Sequence, residues 1–123
     1  RIYPSLVIKD TPMELMYKCN DYTPYSLEEA VNVSKVMYDM YRKNNINVIR
    51  IGLQPTESIN EGKDIVAGPF HPSFRELVEG SLMADAILEN MKIEEKAVIH
   101  INPKDLSKLY ANKKVYFKRR EFI

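Results

Sequence analysis

The stretch Ala67-Gly68-Pro69-Phe70-His71-Pro72-Ser73-Phe74-Arg75-Glu76-Leu77 joins a glycine-proline loop to a helix start and sets His71 and Arg75 four residues apart. A helix N-terminus offers unpaired N–H groups and a dipole that favours negative charge. Gly68 permits close backbone approach and Arg75 can clamp an oxyanion, so a phosphate-bearing ligand suits the stretch. It is neither a Walker loop, since no Gly-Lys-Ser/Thr follows, nor a GxGxxG loop. A plainer reading also fits: Pro69 and Pro72 shape a turn, Ser73 and Glu76 cap the helix, and Arg75 meets a surface carboxylate. Spacing alone leaves both readings open.

Arg50 and Gln54 bracket the end of a β-branched run, Ile46 to Leu53. The C-terminal ends of strands are where open α/β sheets and barrels place their ligands. An arginine between Ile49 and Ile51 is equally an alternating, solvent-facing strand residue. Metal binding fails on inventory, because one cysteine and two histidines, His71 and His100, show no spacing typical of zinc or an iron–sulfur cluster. His100 reads as a half-buried strand residue, and Cys19 as a small side chain that nothing nearby activates.

These side chains need elements to hold them. Thr11-Pro12-Met13-Glu14 combines a cap, a proline at the first helical position and an early acid, which predicts a short helix to about Lys18. Ser26-Leu27-Glu28-Glu29 is a capping box that opens a helix to about Asn44, with Ala30, Val33, Met37, Met40 and Tyr41 as its buried stripe. Pro24 bars helix continuation in the intervening turn. Gln54 to Lys63 reads as a loop, and Ile65-Val66-Ala67 as a brief strand.

Phe74, Leu77, Val78, Met83, Ala84, Ile87, Leu88 and Met91 mark a long helix. Gly80 weakens it by about 1 kcal/mol relative to alanine unless something packs closely there. Lys96 to Ile101 is a predicted strand, Asn102-Pro103-Lys104-Asp105 caps a short helix, and Val115-Tyr116-Phe117 is a last strand. The order β-α-α-β-α-β-α-β predicts an α/β fold of parallel strands covered by helices.

A chain of 123 residues, 45% hydrophobic and 28% charged, fits a single domain with a modest core. Eighteen basic against seventeen acidic residues leave a net charge of +1, so no global field draws it to nucleic acid or membrane. A local patch remains in the tail, where Lys113, Lys114, Lys118, Arg119 and Arg120 surround an aromatic pair, either as a solvated end or as a phosphate-contacting surface. No apolar run reaches membrane-spanning length, and no leader pattern opens the chain. The unpaired Cys19 points to a reducing, cytoplasmic setting. The chain starts directly on the β-like run Arg1 to Ile8 without an initiator methionine, which reads as a piece of a longer protein.

Arg1-Ile2-Tyr3-Pro4-Ser5-Leu6-Val7-Ile8-Lys9-Asp10-Thr11, followed by Leu15, Tyr17 and Tyr22, resembles the late strand and following helix of radical S-adenosylmethionine (radical SAM) proteins related to the Elongator catalytic subunit. Ser26 to Val31, Val48-Ile49-Arg50-Ile51 and His71-x-x-x-Arg75-Glu76-Leu77 fall in that family's order. Gly52-Leu53-Gln54-Pro55-Thr56 and Ala67 to Pro72 are similar to bacterial members labelled Elongator-like or oxygen-independent coproporphyrinogen oxidase-like.

The resemblance covers residues 1 to about 80, and the remainder resembles the variable C-terminal extension of bacterial members. It implies the last part of a partial radical SAM barrel plus that extension. The full-length enzyme would use a [4Fe-4S] cluster and S-adenosylmethionine, with the three-cysteine cluster motif lying upstream. The chain would then be inactive alone, would take the upstream part of the same polypeptide as its partner, and would present Arg50, Gln54, His71 and Arg75 to a substrate, either tRNA or a small molecule.

Departures are also visible. An arginine-aspartate pair that Elongator relatives carry near Leu53 and Gln54 is absent. Asp10 stands where relatives have glycine, and Cys19-Asn20 where a glycine precedes the tyrosine turn; aspartate and asparagine tolerate the left-handed backbone that this implies. Two other readings remain: an RNA-binding module using the basic tail and the Gly68-to-Arg75 loop, and an oligomerisation domain.

Overall fold

A computed structural model describes residues 1–55, 63–91 and 98–111. The basic tail, the strand expected at Val115 to Phe117 and most of the loop after Gln54 lie outside the described residues. The elements are β1 (Val7–Ile8), α1 (Pro12–Lys18), α2 (Leu27–Lys43), β2 (Ile65–Ala67), α3 (Phe74–Asn90), a 3-10 turn (Pro103–Asp105) and α4 (Leu106–Leu109). Helices combined with a small two-stranded sheet are compatible with the α/β class. The chain groups into two compact units, Arg1–Arg75 and Glu76–Ile123.

In the first unit, α2 begins as its sequence dictates. Ser26 Oγ accepts from the N–H of Glu29 at 3.2 Å while the Glu29 carboxylate accepts from the N–H of Ser26 at 2.8 Å, a closed capping box. The start of α1 differs from expectation. The Thr11 hydroxyl donates to the Ile8 carbonyl at 2.6 Å instead of capping, and the Glu14 carboxylate accepts from the N–H of Asp10.

Both helices end in the same way. Asn20 and Asn45 adopt φ of 60° and 58°, and the next residues, Asp21 and Ile46, donate back to Met16 and Tyr41. This is the Schellman pattern with asparagine in place of the usual glycine. Asp10 is likewise at φ 60°, a left-handed backbone that aspartate tolerates.

The buried stripe of α2 shares Ala30 with the expected one and otherwise differs. Ala30, Val31, Ser34 and Tyr38 are buried, whereas Val33, Met37 and Met40 are exposed, Met40 at 59%. Apolar residues lie on both faces of this helix, so periodicity establishes a helix without saying which stripe meets the core.

Strand pairing also departs from the sequence reading. β1 and β2 pair antiparallel, with Val7 opposite Ala67, while parallel pairing occurs as an isolated bridge between Ile2 and Ile51. Of the run Ile46 to Leu53 only Ile51 pairs, and Val98 to Ile101 is not a strand. His100 is consequently exposed and outside any ladder, which corrects its expected half-buried place. A β-branched run shows capacity to pair, but a ladder forms only where a partner presents N–H and C=O groups.

In the second unit, Leu77, Val78, Ser81 and Ala84 of α3 are buried. Gly80 stands among them because a Cβ there would collide with the Lys108 carbonyl and come within 2.9 Å of Ala111 Cβ. The close packing that would justify a helical glycine is therefore present. Lys108 fixes the same junction, with Nζ 2.9 Å from Asp105 and 3.3 Å from Glu79. Asn102 caps the following turn, accepting from the N–H of Lys104 at 3.0 Å. Among the described residues no helix is long and apolar enough to cross a membrane.

Candidate functional site

The four candidate residues sit on two segments, one around Arg50 to Gln54 and one around His71 to Arg75. Ile2 donates to the Arg50 carbonyl and Gly52 donates to the Ile2 carbonyl, both at 2.9 Å, which holds the segment from Val48 to Gly52 against the chain's first residues. Because that pairing is parallel, the residues following Ile2 and those following Ile51 leave the bridge in the same direction. Tyr3 and Gly52 therefore lie on one edge of the bridge, and the chain turns at Gly52 before it reaches Gln54.

The start of α3 joins this edge through two contacts. Arg75 donates from Nη1 to the Val48 carbonyl at 3.1 Å. At Gly52, φ is +80° and an added Cβ would stand 2.6 Å from Phe74 Cβ, so only glycine lets the chain turn over the buried Phe74 ring. Arg50 and Gln54 are exposed. The side chains of Phe74 and Arg75, in the first turn of α3, thus meet the segment that carries Arg50, and His71 lies just before that turn.

His71 and Arg75 also have structural work. Nδ1 of His71 accepts from the N–H of Ser73 at 3.0 Å, so the imidazole satisfies one backbone donor just before α3. The Arg75 guanidinium lies over the ring of Tyr38 at 5.8 Å, and that of Arg42 lies over the same ring at 5.6 Å. Gly68 lies against Ser5 and Leu6, so its bare side meets the chain's own backbone. His71 and Arg75 thus both bind the chain's own backbone, while Arg50 and Gln54 are exposed.

A cavity that sequence reasoning missed opens beside this edge, with a volume of about 450 Å³. It lies between the residues that follow Ile2, the turn before α2 and one side of α2, with Tyr3, Tyr22 and Tyr25 among its walls. A signal existed in the clustering of tyrosines around Asp21 to Tyr25, but nothing local says that Tyr3 joins them.

Residues 1–84 match the family model described as the radical SAM C-terminal domain, and the chain belongs to that family. It is therefore part of a radical SAM protein. No curated protein and no solved structure matches the chain. The residues of this chain do not suit an iron–sulfur cluster. Its single cysteine, Cys19, is exposed, and among the described residues no three histidine, cysteine or acidic side chains come together as a metal site.

Proposed function

We propose that the chain is the C-terminal, substrate-facing part of a radical SAM iron-sulfur enzyme related to the Elongator catalytic subunit and the oxygen-independent coproporphyrinogen oxidase-like proteins. It completes a partial barrel and is not catalytic alone. What supports this reading is the family match over residues 1–84, within which Ile2 bridges Ile51 in parallel and Arg50 and Gln54 are exposed.

In the full-length protein the [4Fe-4S] cluster and S-adenosylmethionine would be held upstream, and they would supply the radical chemistry. This chain would supply orientation: Arg50 and Gln54 as donors to the substrate, and His71 and Arg75 as the groups that fix the facing segment and complete the rim. The substrate would be tRNA or a small molecule.

The test uses Arg50→Gln and Gln54→Ala in the full-length enzyme. Iron and sulfide content should stay at wild-type level, while the stimulation of 5′-deoxyadenosine formation by added tRNA or a metabolite extract should fall about tenfold or more for Arg50→Gln, the loss of a charge-assisted hydrogen bond. Parallel loss of cluster content and stimulation would give these residues a structural role and refute the substrate-facing reading.

A further inference from the structure

An imidazole has two ring nitrogens, and in His71 the backbone occupies one of them. Nδ1 accepts from the N–H of Ser73 at 3.0 Å. A nitrogen that accepts carries no proton, so the neutral ring holds its single proton on Nε2. The side chain is half-buried, and among the described residues Nε2 has no hydrogen-bond partner.

The loop that carries this ring is stiff. Phe70 donates to the Gly68 carbonyl at 2.9 Å, closing a three-residue turn over the buried Pro69, whose ring fixes its own φ. Pro72 restricts His71 in turn, since the residue before a proline is confined to extended backbone. Gly68, at φ +115°, is seated against the backbone of Ser5 and Leu6, which anchors the near end of the loop. The backbone thus limits where the imidazole can go, and the bond to Ser73 sets the rotation of the ring.

A neutral histidine with both nitrogens available can donate, accept, or take a proton as a base. Here the accepting nitrogen is spent on Ser73, and only a donor remains. We infer that His71 is a specificity-determining residue whose Nε2–H selects an acceptor atom of the substrate, and that it does not serve as a base. The inference rests on the substrate-facing reading and deepens it, because it states which kind of substrate group the rim takes at His71.

Two substitutions divide the ring between them. Asparagine places Oδ1 as many bonds from Cβ as Nδ1, and glutamine places an amide N–H as many bonds from Cβ as Nε2. In the full-length enzyme His71→Asn should melt close to wild type and keep its iron and sulfide. The amount of tRNA or metabolite extract giving half-maximal stimulation of 5′-deoxyadenosine formation should nevertheless rise roughly 2- to 13-fold, the range for one neutral hydrogen bond. His71→Gln should melt below His71→Asn yet need less of the same additive, since an amide donates but cannot act as a base. Independently of activity, nitrogen NMR of the labelled protein in mildly alkaline buffer should show a protonated Nε2 and a bare Nδ1 for the signals that His71→Asn removes.

Three outcomes would overturn the inference: a proton on Nδ1, an unchanged half-maximal amount in His71→Asn, or a loss in His71→Gln as deep as in His71→Asn, which would return a base role to the ring. Should Arg50→Gln lose stimulation while His71→Asn does not, the substrate-facing reading stands and this inference falls. Should neither change it, both fall.

Discussion

Among its contacts Arg75 meets the Val48 carbonyl and the ring of Tyr38, and this double hold gives its substitution a signature of its own. Arg75→Ala should lower stability by about 1–3 kcal/mol, the sum expected for a backbone hydrogen bond and a cation–π contact. Arg75→Lys keeps the charge but loses the planar fork, so it should recover only part of that. Gln54→Ala, at an exposed position, should change stability by no more than about 0.5 kcal/mol. Denaturant unfolding of the three variants checks the ranking, and an Arg75→Ala variant as stable as wild type would refute the double hold. Nδ1 of His71 accepts from Ser73, so asparagine should replace it better than alanine, with about 1 kcal/mol between them as at other helix starts.

Helices were legible wherever a local chemical device defined their ends. The Ser26 and Glu29 box, Pro12 and the Asn102-Pro103 pair each announced a start within one residue of the observed one, because capping depends on neighbours three or four positions away. Strands were legible only as β-branched composition. Neither the partner of Val7 nor its antiparallel sense is written within the run, and the buried side of α2 depended on packing that lies far off in sequence. Of the site, Arg50 read equally as ligand group and as surface residue in the sequence, and the tyrosine cavity needed Tyr3 to meet Tyr22 and Tyr25 across a helix and a turn.

The same elements yield further tests. Asn45→Ala should cost about 1–2 kcal/mol because φ there is 58°, while Asn45→Gly should not. Gly80→Ala should destabilise despite alanine's higher helix propensity, since the Lys108 carbonyl occupies the added Cβ's place. Glu14 is held below the usual carboxylate range by its hydrogen bond from Lys18 and then by the Asp10 N–H. Its contribution is thus present above the unfolded carboxylate value and lost as pH falls through the folded one, so wild type and Glu14→Gln should converge in Tm in acid.

At the scale of the whole chain, one cysteine and the absence of a clustered ligand set among the described residues lead to a plain expectation. The isolated 123-residue chain should stay colourless after iron and sulfide reconstitution and should form no 5′-deoxyadenosine from S-adenosylmethionine; a brown cluster spectrum would refute the division of labour proposed here. The bridge between Ile2 and Ile51 carries a kinetic consequence as well. Helices α1 and α2 lie between those two residues and form from local signals on the microsecond scale, whereas the bridge closes only after a long connection has been ordered. In refolding, helical ellipticity should therefore return before the edge exists, and ligand-binding competence should be the last property the chain recovers.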